Sequence, residues 1–271
     1  GSFNFTYKVT GIPKKATPIT ASITDYGRNT TSVTKSVFIE TTTLELERVG
    51  ANTNDGVYKA EQWIELFLEF TKNTHVEGTP RLKLNMGSGN STRYATFDSS
   101  SNDKAQIIFK YKVQAGDNIA NLDVLGIDGG TWSDANVSGS SAFTPVLPTD
   151  DTKKLGTSRN IRIDTTAPKV TRIESLTPAG DYKEGAQILL KLSFSESVKI
   201  TNEGNITIGL KDITSRSMSA VLSGSDVILT YTVGAGDNAS PLETTANSIT
   251  HTDVTVTDEV GNAITTEGWN L

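Results

Sequence analysis

Residues 58–70 read Tyr58-Lys59-Ala60-Glu61-Gln62-Trp63-Ile64-Glu65-Leu66-Phe67-Leu68-Glu69-Phe70. Ile64, Leu66, Leu68 and Phe70 alternate with Glu65, Phe67 and Glu69. Successive side chains of a strand point to opposite faces, so a period of two marks a strand with one buried face. Trp63 and Phe67 fall out of phase with that face and are expected to be exposed together. The same alternation places Phe109, Tyr111 and Val113 inward against Lys110 and Lys112. Composition agrees. Thr is the commonest residue, and its branched Cβ suits a pleated surface, while 23 glycines serve many turns. No amphipathic helix longer than two turns is read, so the fold class is all-β.

Working outward from this strand, the chain repeats itself. Tyr58-Lys59 and the strand after it match Tyr182-Lys183 and Gln187–Phe194, with Ile64, Leu66, Leu68 and Phe70 falling on Ile188, Leu190, Leu192 and Phe194. YKVQAGDN (Tyr111 to Asn118) matches YTVGAGDN (Tyr231 to Asn238). IETTT (Ile39 to Thr43) and IDTTAP (Ile163 to Pro168) precede the two copies at a similar distance and read as linkers. Pro168 stops the preceding strand and gives a stiff, extended joint. Repeats are the sign of modular architecture. The expected organisation is therefore residues 1–40, 41–164 and 165–271. Each of the last two is near the size of an immunoglobulin-like sandwich. The first copy carries an additional loop, Ser133 to Ser158. In residues 1–40, ITDYGRN (Ile23 to Asn29) is similar to VTDEVGN (Val256 to Asn262), so this segment reads as the last three strands of a truncated repeat. Gly1-Ser2 reads as a cloning remnant, and no leader sequence is read.

The IDTTAP linker, the strand ending FSESV, the VxAGDN turn and the DxxGN loop, in this order, resemble the tandem bacterial Ig-like repeats of large surface adhesins and S-layer-type proteins. The resemblance covers most of residues 19–271. It implies elongated tandem Ig-like β-sandwiches, a non-catalytic stalk or assembly role, an extracellular or bacterial cell-surface location, and calcium at the joints. Two features of the first copy depart from the pattern: FTK stands for FSE, and DANVS stands for DxxGN.

Strand topology gives an independent route to the joint. With seven strands per repeat, the AGDN turn of the first copy and the DEVGN loop of the second lie at the same junction. This gathers Asp117, with Asp55 a further candidate, from the first copy, Asp164 from the linker, and Glu196 and Asp258 from the second copy. Clustered carboxylates repel unless neutralised. Ca2+ accepts six to eight oxygens and suits such a set. The expected ligands are Asp164, Glu196 and Asp258, assisted by Asp117 or a backbone carbonyl. At the earlier joint Glu40 stands for Asp164 and Lys72 for Glu196, and the lysine is expected to exclude a cation. The alternative for AGDN is an ordinary turn, since Asp, Asn and Gly are turn formers.

Several function classes fall away. Net charge is −6 at pH 7, which argues against a nucleic-acid partner. There is no cysteine and there are two histidines, His75 and His251, which rules out thiolate and multi-histidine metal sites. No apolar run is long enough to span a membrane as a helix. No GxSxG, GxxxxGK[ST], HExxH or EF-hand motif is present, and no enzyme is expected. Expected partners are neighbouring Ig-like repeats or other copies of the chain. A binding module is the alternative, with Trp63, Phe67 or the Ser133–Ser158 loop meeting a glycan or a host protein. An accessory region of a secreted enzyme is a third reading.

Overall fold

The computed structural model describes residues 17–24, 26–37, 43–86, 92–137, 139–201, 205–223 and 226–271. Thr17–Thr24 (β1) and Thr30–Val37 (β2) form an antiparallel hairpin. There follow Leu46–Ala51 (β3), Gly56–Tyr58 (β4), Trp63–Glu77 (β5), Arg81–Leu84 (β6), Arg93–Phe97 (β7), Lys104–Lys112 (β8), Asn118–Ile119 (β9), Val124–Asp128 (β10) and Thr131–Asp134 (β11). A single helical turn, Leu155–Ser158 (α1), precedes Ile161–Asp164 (β12). The remainder comprises Val170–Ser175 (β13), Gln187–Phe194 (β14), Lys199–Ile200 (β15), Asn205–Leu210 (β16), Ile213–Ser223 (β17), Asp226–Thr232 (β18), Thr244–Thr252 (β19) and Val256–Thr257 (β20). The protein is all-β, built from several sheets. No helix among the described residues is long and apolar enough to cross a membrane.

The strand order explains the sequence repeat. One sheet runs β3-β5-β8-β7-β6-β10 and another runs β13-β14-β18-β17-β16-β19. The two orders correspond strand for strand. β11 pairs with the far half of β5, and β20 pairs with β15 in the same register, Trp132 opposite Val76 and Val256 opposite Ile200. The element corresponding to the long β5 is interrupted at Ser195–Val198, so it appears as β14 and β15. A smaller sheet closes one end of the first unit. There β12 lies between β4, to which it is parallel, and β9, to which it is antiparallel.

Buried apolar side chains form two clusters, one drawn from Val49 through Ile163 and one from Val170 through Trp269. Ile64, Leu66, Leu68 and Phe70 are at most 2% exposed, as their alternation requires. Each such side chain contributes about 1.5–3 kcal/mol by leaving water. The described residues of the Ser133–Ser158 stretch are mostly exposed but are anchored to the core at two points. Phe143 pairs with Trp132 and meets Phe70 edge-on, and Leu155 is fully buried.

Two expectations need correction or bounding. Phe67 is 4% exposed and not a surface aromatic. Its ring lies over Gly50 of the adjacent strand, where a Cβ would come within 2.4 Å of it, and the Arg48 guanidinium caps it at 5.0 Å from the ring centre. In residues 1–40 the described residues show only the β1–β2 hairpin, which pairs with no other strand among them. The rest of the truncated-repeat reading lies outside the described residues.

Candidate cation site at the linker

Asp164 ends β12. Ile161 and Ile163, at 0% and 3% exposure, anchor that strand and fix where its last carboxylate stands. Asp164 Oδ1 accepts the Thr166 amide at 3.0 Å. Glu196 sits in the Ser195–Val198 interruption after β14, where the chain turns beside the linker through the Ser195 N–H to Lys169 O bond. Asp258 follows β20 in the tight Asp258–Asn262 loop. Its Oδ1 accepts the amides of Val260 at 3.0 Å and Asn262 at 2.7 Å, and its Oδ2 accepts Asn262 Nδ2 at 2.7 Å. Gly261 completes that loop with φ of 87°, a left-handed conformation suited to glycine.

These three elements bring one carboxylate oxygen each from Asp164, Glu196 and Asp258 to within 4.8 Å of one another. Asp258 is buried, and the other two are half-buried. Two oxygens on opposite sides of one Ca2+ stand about 4.6–5.2 Å apart, twice the usual ligand distance. The spacing thus fits one ion held in common. Asn262 joins the parts, because its Nδ2 also donates to the Asp164 carbonyl at 3.0 Å. Lys59 of the first unit donates to the Gly261 carbonyl at 2.9 Å. Neither Asn262 nor Lys59 was picked out from the sequence as part of the junction. The Asn was visible as the last letter of DxxGN, whereas Lys59 had no signal beyond the repeated Tyr-Lys pair.

The other sequence candidates lie elsewhere. Asp117 is 2% exposed and turned into the first unit, where its Oδ1 accepts Arg93 Nε at 2.6 Å and its Oδ2 accepts the Gln114 amide at 2.8 Å and the Tyr111 hydroxyl. It is outside the carboxylate group. Only its backbone touches the linker, accepting Thr165 Oγ1 at 3.0 Å. Asp55 is paired with Arg159 at 2.7 Å. Trp63 is 60% exposed, as expected, but without Phe67 beside it as a second exposed ring. His75 pairs with Asp103, and His251 stacks on Trp269. Glu40 lies outside the described residues.

The corresponding corner of the first unit is chemically inverted. Lys72 occupies the place of Glu196, and its ammonium meets Asp134, the counterpart of Asp258, at 3.0 Å with both side chains nearly buried. Burial alone would raise the Asp134 carboxyl, but the Asn136 amide and the Lys72 ammonium outweigh it and hold the pKa below its ordinary value. At the second corner the shift is opposite. Burial first, then the Asp258 and Asp164 carboxylates, push Glu196 above the ordinary value.

A carboxyl with a raised pKa binds its proton more tightly in the folded than in the unfolded state. Its contribution favours the fold in acid and is lost as pH rises through the folded value. In cation-free buffer, Glu196→Gln is therefore expected to be more stable than the parent at neutral pH, with the two converging in acid. Urea unfolding from about pH 4 to about pH 8 reads this difference. A variant no more stable than its parent at neutral pH would show that the three carboxylates do not strain the joint.

No family model matches the chain, and no curated protein matches it.

Proposed function

We propose that the chain is a non-catalytic structural segment of a bacterial cell-surface or secreted protein. In this reading two immunoglobulin-like β-sandwiches follow in tandem behind the end of a third, and Ca2+ sets the joint at Asp164, Glu196 and Asp258. One observation carries the reading: the corner that holds a Lys72–Asp134 ion pair in the first unit holds three converging carboxylates in the second. A cation belongs at both corners by charge, and only one of them carries its own. The three acids come from the linker, from the turn after β14 and from the loop after β20, so an ion held by all of them fixes one unit against the next. Hard oxygen donors without nitrogen or sulfur favour Ca2+ over transition metals.

The test is thermal unfolding in EDTA, in millimolar Ca2+ and in millimolar Mg2+. A ligand that binds only the folded state stabilises it by about 2.7 kcal/mol at a hundredfold excess over Kd. A Ca2+-selective rise in Tm that Asp164→Ala abolishes is expected. An unchanged Tm, or an equal rise with Mg2+, would remove calcium from the joint.

A further inference from the structure

The second unit rests on the first through the tip of the Asp258–Asn262 loop. Lys59 and Asp164 follow directly on Tyr58 and Ile163, which are partners in the parallel pairing of β4 with β12. The ends of these two strands therefore lie side by side. Two consecutive residues of the second unit meet them. The Gly261 carbonyl accepts Lys59 Nζ at 2.9 Å, and Asn262 Nδ2 donates to the Asp164 carbonyl at 3.0 Å. Two contacts on neighbouring strand ends fix a direction, where one alone would leave a swivel.

Each half of this contact is shaped within its own unit. On the first unit, the Lys59 amide donates to Gln62 Oε1 at 2.8 Å, and the Gln62 amide donates to the Lys59 carbonyl at 3.3 Å. Glu61, inside that turn, takes the left-handed region at φ of 73°, which a residue with a Cβ seldom enters. The turn is pinned to the end of β8, since Glu61 and Gln62 exchange main-chain bonds with Val113. On the second unit, Asp258 holds its loop closed from within. A Cβ at Gly261 would stand 3.0 Å from Lys59 Nζ, so glycine there serves the approach of the ammonium as well as the turn. The matching position in the first unit's own loop is Val137, which offers no such tip.

The linker leaves little room for another arrangement. The first unit holds it as far as Thr166. The Thr165 amide and the Thr166 hydroxyl donate to Asn118 Oδ1 at 2.9 and 3.1 Å, and Thr165 Oγ1 accepts the Gly116 amide at 2.9 Å. The second unit holds it from Pro168, which is buried and packs so closely on Gly268 that a Cβ there would lie 3.0 Å from the Pro168 carbonyl oxygen. Ala167 alone lies between the two grips, and a residue before proline is biased to extended conformations. The Lys59 and Asn262 contacts span this pivot.

We propose that the ends of β4 and β12 form a docking platform for the tip of the Asp258–Asn262 loop, and that Lys59 fixes the angle between the two units without an ion. The partner this platform fits is a D-x-x-G-N loop. Such a loop supplies a bare carbonyl for the ammonium and a side-chain amide for the carbonyl at the strand end. The inference goes beyond the structural-segment reading and does not rest on Ca2+, which would enter a joint whose angle is already chosen.

Distances between the units test it. The chain has no cysteine, so Lys83→Cys and Ala246→Cys, both at exposed positions, place one spin label on each unit. Double electron–electron resonance in EDTA is expected to give one narrow distance, little changed by millimolar Ca2+. Lys59→Met keeps the aliphatic stem without the donor. It should lose the narrow distance in EDTA while far-UV circular dichroism and Tm stay at the parent's values. Lys59→Arg, which can still donate to a carbonyl, should keep it. A parent that is broad in EDTA and narrowed only by Ca2+ would give the angle to the ion, overturning this inference and leaving the calcium reading in place. A narrow distance in EDTA that Lys59→Met broadens, with no Ca2+ effect on Tm, would support the inference and remove the calcium. A Lys59→Met chain as narrow as its parent, or a parent broad in both buffers, would overturn it outright.

Discussion

Asp117→Ala is expected to lower the unfolding free energy of the first unit by about 3–5 kcal/mol, the range for breaking a buried ion pair from one side. The carboxylate is 2% exposed and carries three donors at once: the Arg93 guanidinium, the Tyr111 hydroxyl and the Gln114 amide. Removing it leaves a guanidinium and a phenol unpaired against the core and opens the turn that holds β9 beside β12. Burial first, then the Asp117 carboxylate, raise the Tyr111 phenol above its ordinary pKa, so in the parent protein it keeps its proton and donates it to Asp117. Urea unfolding monitored by far-UV circular dichroism measures the change, with Asp55→Ala as the control for an exposed pair. A loss for Asp117→Ala no larger than the control's would mean that the network does not hold the turn.

The second large effect concerns the inverted corners. Lys72→Glu places a carboxylate against Asp134 in a site where both side chains are at most 10% exposed, and it should cost about 3–5 kcal/mol by leaving buried charge unpaired. Glu196→Lys in the second unit should do the reverse in EDTA, raising stability and abolishing the Ca2+ response together. The two exchanges are read in one series of thermal scans. A Glu196→Lys protein that still gains stability with Ca2+ would place the ion elsewhere.

How much of this could be read from the sequence depends on how local the cause is. The alternation of Ile64 to Phe70 is a property of consecutive residues, so the buried face of β5 was legible. Phe67 was misread because its burial is decided by Gly50, which a residue-by-residue period does not consult. Only the pairing of β3 with β5 sets the ring over a residue with no Cβ. The AGDN turn was legible as a repeated string and as a turn. That the Asp faces inward follows from the Tyr six residues before it, whose hydroxyl reaches back across the turn. The meeting of Asp164, Glu196 and Asp258 was accessible because strand polarity assigns loops to ends. Their spacing was not, because it depends on the tight loop that Asn262 and Gly261 form.

The placement of β12 has a mechanical consequence. This strand is the last of the first unit and runs directly into the linker, while β4 lies parallel and β9 antiparallel along its two sides. Tension transmitted from the second unit pulls β12 along its own length. Its hydrogen bonds on both flanks are then loaded in shear and must yield together, unlike those of a hairpin peeled open one rung at a time. Ile161 and Ile163, seated in the core, resist the same displacement. Under stretching the first unit should therefore give way at β12 in a single abrupt event at a rate set by its unfolding barrier. Among the described residues the β1–β2 hairpin carries no such clamp.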